Sequence, residues 1–139
     1  MTIRITIPDT PDDSHRDAVA TPLRAYNFAQ GGDPHYRQVA ILLTDESGAH
    51  VGGLWGKTVY DWLFVELLAI PEHLRGQRLG TALIAEAERI ARAENCIGIW
   101  LDTFEFQARG FYEKLGFELF GTLADHPVGR SRFFLQKRF

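Results

Sequence analysis

A loop rich in glycine and arginine separates an apolar run from an amphipathic run near the middle of the chain. The apolar run extends from Trp62 to Ile70, the loop reads Leu-Arg-Gly-Gln-Arg-Leu-Gly-Thr over residues 74–81, and apolar residues then recur at helical spacing from Leu79 to Glu94. The first amides of a helix lack intrahelical acceptors and lie at the positive end of the helix dipole. We therefore predict a strand, a loop and a helix start that together bind an anion such as a phosphate.

Length, charge and cysteine content limit the remaining possibilities. A chain of 139 residues is long enough for one domain with its own core, so we predict a single domain over residues 1–139. The formal charge of −3 provides no broad basic surface for nucleic acid, and one cysteine cannot form an internal disulfide. The chain contains neither a signal-peptide core nor an apolar run of about 20 residues. We expect a cytoplasmic protein without a membrane partner, a nucleic-acid partner or a bound metal.

The N-terminal region predicts a short strand followed by a helix. Ile3, Ile5 and Ile7 alternate with polar residues, as in a half-buried strand. A helix is expected from about Asp12, where acidic and hydroxyl residues can cap it, to about residue 29. Pro22 lies inside this segment and is expected to kink or split the helix.

The rest of the chain predicts an α/β fold. The continuous apolar run over 39–43 is typical of a strand covered on both faces, and three glycines over 52–56 favour a bulge or close packing in the returning strand over 51–60. Further elements are a strand over 97–103, a helix over 107–115 and strands over 117–122 and 132–137. The order is strand, helix, three strands, helix, strand, helix and two strands, which indicates a mixed sheet with helices on its faces.

Two motifs in this framework resemble those of one enzyme family. Residues 75–80 read Arg-Gly-Gln-Arg-Leu-Gly and resemble the acyl-coenzyme A loop of the GNAT superfamily of N-acetyltransferases, R/Q-x-x-G-x-G/A, with Arg78 where the pattern has glycine. Residues 108–117 read Ala-Arg-Gly-Phe-Tyr-Glu-Lys-Leu-Gly-Phe and match every defined position of the second GNAT pattern, A-x-x-F-Y-x-K-x-G-F. On these two motifs the chain is identified as a member of the superfamily. The fingerprints of nucleotide-binding loops are absent.

The resemblance implies a fold, a donor and a donor site. The fold is a mixed, mostly antiparallel sheet flanked by helices, with a splayed strand pair that holds acyl-coenzyme A, and the acetyl donor is acetyl-coenzyme A. The residues implied for cofactor binding are Ala69, Ile70, Arg75, Gly76, Gln77, Arg78, Gly80, Thr81 and Tyr112. A backbone N–H near Ala69 and Ile70 would stabilise the oxyanion, and the loop would hold the pyrophosphate. Glu105 stands where the family often has an asparagine, so that asparagine's role does not transfer.

Two side chains are candidates for the catalytic groups. Glu66 is the only carboxylate inside the apolar run over 62–70, where we expect it to be buried; it is either the base, acting directly or through water, or a carboxylate at a sheet edge or on a solvent-facing strand. Tyr112 belongs to the second motif and is either the acid that protonates the departing coenzyme A sulfur or a core aromatic residue.

The acceptor is less well defined by the sequence. The resemblance implies a primary amine, and we favour a small molecule; a protein or peptide amine and a non-catalytic acyl-coenzyme A binding or sensing domain are the alternatives. His126 could line the acceptor pocket or act as the base, although a lone loop histidine is more often structural or solvent-facing. Asp102 and Glu105 could recognise a cationic amine or, equally, only solvate a loop. Dimerisation is common in the superfamily, so a homodimer is an expectation.

Overall fold

The computed structural model describes residues 1–139. The chain divides into two compact units, residues 1–34 and residues 35–139, and the single domain over 1–139 stays a prediction. The helices are α1 Asp13–Gly31, α2 Leu79–Ala93 and α3 Arg109–Lys114; the strands are β1 Arg37–Thr44, β2 His50–Val59, β3 Trp62–Ala69, β4 Gly98–Phe104, β5 Glu118–Ala124 and β6 Ser131–Arg138. None of the helices combines the length and the apolar character needed to cross a bilayer.

The first unit contains α1 and no strand. The Asp12 carboxylate accepts hydrogen bonds from the N–H groups of Ser14 and His15, and His15 accepts one from the Asp12 N–H, which forms a capping box. The helix continues through Pro22, so it is not split there. The strand predicted over residues 3–7 is wrong: alternation makes a segment compatible with a strand but does not supply the hydrogen-bonding neighbour that a strand requires.

The second unit is built on a six-stranded sheet of order β1-β2-β3-β4-β6-β5. β1, β2 and β3 form one antiparallel half, and β4, β6 and β5 form the other. The halves join through parallel pairing of β3 and β4, which runs from Trp62 opposite Gly98 to Val65 opposite Leu101. Both strands continue past that last pair without pairing to each other. The predicted mixed, mostly antiparallel sheet with a splayed strand pair is confirmed.

The core of this unit lies between α2 and one face of the sheet. From α2 it takes the buried side chains Leu83, Ile84, Ala87 and Ala91. From the sheet it takes residues such as Val39, Leu54, Leu63, Ile99, Leu101 and Leu135. The prediction that the run over 39–43 is covered on both faces is wrong, because Val39 is 3% exposed whereas Leu42, which points to the other face, is 49% exposed. A continuous apolar run therefore does not by itself require two covered faces.

A β-bulge interrupts the pairing of β2 with β3. Trp55 pairs with Leu67, but the next residue, Gly56, pairs with Val65, so Glu66 is an extra residue with no partner in β2. A Cβ atom at Gly56 would lie 2.2 Å from a carbonyl oxygen of β3, which explains the glycine. This confirms the bulge and the close packing predicted from the glycines of this strand, and it places an irregularity of the sheet at the candidate base.

Candidate active site

A cleft of about 1120 Å³ opens where β3 and β4 separate. Its walls are the end of β3, the loop over 74–81 with the start of α2, the end of β4 and the start of α3. The sequence-predicted site residues that line it are Glu66, Ala69, Ile70, Arg75, Gly76, Arg78, Gly80, Thr81 and Tyr112. Gln77 is exposed in the loop and does not line the cleft, so its predicted contact with the donor is not supported by this placement.

The loop turns sharply before α2 and leaves helix amides unpaired. Gly76 has φ of +85° and Arg78 has φ of +59°, both in the left-handed region. The first helical hydrogen bond joins the Ala82 N–H to the Arg78 carbonyl at 3.1 Å, so the three preceding amides, of residues 79–81, have no intrahelical acceptor. Arg78 caps the helix without a side-chain hydrogen bond. The loop therefore presents free N–H groups and an exposed guanidinium at the positive end of a helix.

Contacts around Gly80 connect the two sequence motifs. A Cβ atom at Gly80 would lie 3.0 Å from Cζ of Phe111 and 3.2 Å from Cδ1 of Ile70. Glycine is needed here because the first turn of α2 packs closely against α3 and the end of β3. The Nε of Arg75 donates to the Ile70 carbonyl at 3.3 Å, which ties the loop to the same strand end.

Glu66 lies at the β-bulge on one wall of the cleft. Its side chain is 31% exposed, and its Oε1 lies 3.5 Å from the Nζ of Lys57 on β2. The expectation that Glu66 is buried is therefore wrong, because successive strand residues point to opposite faces and Glu66 directly follows Val65, which points into the core. The carboxylate is open to the cleft and has one cation beside it.

Tyr112 is buried in α3 and also borders the cleft. It is 8% exposed and makes edge-to-face contacts with Phe111 and Phe117, with ring centroids 5.1 and 5.8 Å apart. Burial raises the pKa of the Tyr112 phenol above its ordinary value, and the negative charge of Asp102 raises it further. The phenol therefore stays protonated at neutral pH, as a proton donor must. Tyr112 is thus packed against neighbouring aromatic rings and also borders the cleft.

An ion pair on β4 and β6 lines the opposite wall. Oδ1 of Asp102 lies 3.0 Å from Nε and 2.7 Å from Nη2 of Arg132, and the two side chains are 15% and 28% exposed. The guanidinium also lies 5.4 Å from the ring centroids of Phe104 and Phe134. Two charged residues 30 positions apart in sequence thus meet inside the cleft.

Comparison with known proteins agrees with this geometry. Residues 4–117 match the sequence profile described as the Acetyltransferase (GNAT) family. The chain belongs to that family. It is 43% identical over 99 residues, 70% of this chain and 73% of the other, to a blasticidin-S acetyltransferase of Streptomyces morookaense.

Solved structures of GNAT proteins share the fold. A candidate acetyltransferase from Agrobacterium tumefaciens superposes with a TM-score of 0.93 at 36% identity, covering 99% of this chain and 100% of that one. A candidate streptothricin acetyltransferase from Bacillus anthracis, solved in complex with acetyl coenzyme A, gives a TM-score of 0.65 at 23% identity and covers 73% of this chain and 62% of that one.

As a GNAT acetyltransferase, the chain uses acetyl-coenzyme A, which supplies a thioester-activated acetyl group. The loop suits its pyrophosphate: three amides at the start of α2 lack intrahelical acceptors, and the guanidiniums of Arg75 and Arg78 border the same cleft. The unpaired edges of β3 and β4 suit the amide-bearing arm, which can pair with a strand edge.

Sequence reasoning missed several residues of the cleft. Arg132 was not singled out, and Asp102 had no assigned partner, because their contact depends on the register of β4 against β6. Gln107 was treated only as a helix start, yet its side-chain oxygen accepts from the Phe104 N–H at 2.7 Å and from the Thr103 hydroxyl at 3.1 Å. The one signal for this role of Gln107 in the sequence is that a polar residue stands at the start of a short predicted helix. The candidates Glu105 and His126 do not line the cleft.

Proposed function

We propose that this GNAT acetyltransferase moves an acetyl group from acetyl-coenzyme A directly to the primary amine of a small molecule, with Glu66 as base and Tyr112 as acid. One observation carries the proposal: both side chains line the same cleft as the anion-binding loop. A base, a proton donor and a donor-binding loop around one cavity are what direct acyl transfer to an amine requires.

The base has a defined task. An alkylammonium with a pKa near 10.4 must lose its proton before it attacks, which at pH 7 costs roughly 4–5 kcal/mol. Glu66 accepts that proton directly or through a water molecule, since its side chain lines the cleft. The ammonium of Lys57, 3.5 Å away, favours the neutral form of an amine that binds beside Glu66.

Tyr112 acts at the other end of the transfer. A phenol that stays protonated at neutral pH can donate to the coenzyme A sulfur as that thiolate leaves. Edge-to-face packing against Phe111 and Phe117 fixes the ring, so the hydroxyl is held in place rather than free to rotate through several rotamers.

The similarity to a blasticidin-S acetyltransferase supports a small-molecule acceptor over a protein or peptide. A thiol-release assay with acetyl-coenzyme A tests this against a panel of diamines, amino acids, aminoglycosides, blasticidin S, streptothricin and N-terminal peptides. We expect turnover with small basic amines and slow or no turnover with peptides. Preference for peptides would overturn the acceptor class, and tight donor binding with no release for any acceptor would indicate a sensing domain.

The catalytic role of Glu66 is tested by Glu66→Gln, with Glu86→Gln as a matched control. Glu86 is an exposed carboxylate on α2 that pairs with Arg89 and does not line the cleft. Loss of a general base typically lowers kcat about 100-fold or more. We expect that loss for the Glu66 variant and none for the control; full activity with an unchanged pH profile in the Glu66 variant would exclude it as the base.

A further inference from the structure

We propose that Asp102 binds a second, permanently cationic group of the acceptor, so that the preferred substrates are amines with at least two basic nitrogens. This inference rests on the proposed function and specifies its acceptor. Asp102 is a specificity-determining residue in it, with no part in proton transfer.

The register of the splayed strands places a second carboxylate opposite Glu66. β3 and β4 are parallel, and their last pair is Val65 with Leu101. The next residues are Glu66 and Asp102, which are therefore the first residues of β3 and β4 beyond the paired region and lie at equivalent positions on the two walls of the cleft. Both line the cleft. An acceptor that reaches Glu66 from the cleft therefore passes a second carboxylate on the facing wall.

Arg132 contacts Asp102 through one of its two carboxylate oxygens. Both contacts from Arg132, at 3.0 and 2.7 Å, go to the same oxygen, Oδ1. The ion pair fixes the carboxylate in place while Oδ2 keeps its capacity to accept from a ligand. An ion pair that used both oxygens in a parallel fork would have left much less for an acceptor.

The chemistry of the reaction gives the two carboxylates different roles. A carboxylate beside the attacking nitrogen stabilises its protonated form, so a second anion on that nitrogen would oppose deprotonation. Glu66 compensates because it removes the proton and has Lys57 beside it. Asp102 has no such task and is useful only to a cationic group that keeps its charge throughout. Two walls with one carboxylate each thus fit an acceptor with one reacting amine and one spectator cation.

The surroundings of Asp102 favour a cation as well. Phe104 and Phe106 line the same wall, with ring centroids 5.3 Å apart and nearly parallel planes. Aromatic faces attract alkylammonium and guanidinium groups. The guanidiniums of Arg132 and Arg130 already lie 5.4 Å from the ring centroid of Phe104 and 5.6 Å from that of Phe106, so this wall is one beside which cations are stable. The effect of the Asp102 charge on the Tyr112 phenol also indicates that its field reaches the proposed reaction centre.

The test compares a diamine with a monoamine of the same length, putrescine and butylamine, as acceptors. For the native enzyme we expect kcat/KM for putrescine to exceed that for butylamine by about tenfold or more, because a charge-assisted hydrogen bond is involved. In Asp102→Asn that ratio should fall at least about fivefold through KM for putrescine, while KM for acetyl-coenzyme A stays unchanged. A ratio that does not change in the variant overturns the inference.

Two further variants keep the test decisive. Glu105→Gln removes a carboxylate three residues away that accepts from the Ser131 N–H at 2.8 Å and does not line the cleft, so its ratio should equal that of the native enzyme. Arg132→Gln leaves Asp102 charged with one cation fewer and keeps an amide donor that can hold Oδ1 in place, so the diamine preference should increase. A preference that stays constant or decreases in Arg132→Gln contradicts the inference even where Asp102→Asn fails to fold.

The outcomes separate this inference from the proposed function. If the native enzyme acetylates no amine at all, the proposed function fails and the inference fails with it. If the enzyme acetylates amines but treats putrescine and butylamine alike in both native and Asp102→Asn forms, only the inference fails.

Discussion

The two ends of the cleft are built in different ways. The donor end, residues 74–81, is one continuous segment that offers backbone amides at a helix start. The proposed acceptor end consists of Glu66 and Asp102, which line the cleft, and their cationic partners Lys57 and Arg132; the four side chains come from four different strands. Backbone groups in one loop suit a ligand that is the same throughout a family, whereas side chains on separate strands can change one at a time. Family membership is therefore informative about the donor and much less so about the acceptor.

After the loss expected for Glu66→Gln, the largest effect is expected at Tyr112, which lines the same cleft. Tyr112→Phe removes the proton donor but keeps the aromatic packing with Phe111 and Phe117. We expect kcat to fall about 100-fold with KM for acetyl-coenzyme A changed less than about threefold. Steady-state thiol-release kinetics measure both. A large rise in KM with kcat preserved would assign Tyr112 to donor binding and exclude the acid role.

Gly80 tests whether the donor end depends on close packing. In Gly80→Ala the new Cβ meets Cζ of Phe111 at 3.0 Å and Cδ1 of Ile70 at 3.2 Å, so these side chains or the start of α2 must shift by tenths of an ångström. We expect KM for acetyl-coenzyme A to rise about tenfold with little change in acceptor KM, because small displacements of positioning groups are costly. Gly110→Ala is the control, since a Cβ there meets nothing within 4 Å. Equal behaviour of the two variants would argue against the packing explanation.

Arg78 distinguishes backbone from side-chain binding within the donor end. Its φ of +59° is unfavourable for a residue with a Cβ, so Arg78→Gly should raise the free energy of unfolding by about 1 kcal/mol. Loss of the guanidinium should raise KM for acetyl-coenzyme A about fivefold. Arg78→Asn removes the charge but tolerates the same φ, which separates the two effects. Unchanged KM in both variants would mean that the amides alone hold the pyrophosphate.

The smallest effect is a pH dependence of stability from Tyr112. Its pKa is raised in the folded protein by burial and by the Asp102 charge, so its contribution is fully present below the unfolded pKa and is lost as pH rises through the folded pKa. Urea unfolding of the native protein should therefore show stability falling above about pH 10, and Tyr112→Phe should show a shallower fall. Burial also raises the pKa of the Cys96 thiol, but this contributes equally to both proteins. Parallel curves would exclude the Tyr112 contribution.

The sequence was most informative where structure is local. The loop over 74–81 and the helix that follows it combine glycine positions, helical periodicity and a recognisable motif within about 20 residues, and the structure has those elements where they were predicted. The six strands of the second unit were also predicted from their apolar patterns, within two residues at each end. Each of these features depends on residues that are close together in the chain.

The features that the sequence did not predict depend on distant residues. The Asp102–Arg132 pair requires the register of two strands 30 residues apart, and the exposure of Glu66 depends on which face of the sheet α2 covers, which the apolar run of β3 does not reveal. The strand predicted around Ile5 failed for the same reason, because its formation depends on a partner that no local pattern specifies. Side-chain chemistry at the acceptor end is set by such pairings.

The length of the parallel pairing between β3 and β4 also sets where the two strands begin to separate. The pairing ends at Val65 and Leu101, and strands advance about 3.3 Å per residue. Pairing that extended one residue further on each strand would move the point of separation by about that distance along the strands. Pairing that ended one residue earlier would move it by the same distance in the opposite direction. The length of this pairing therefore sets how far a ligand can enter between β3 and β4.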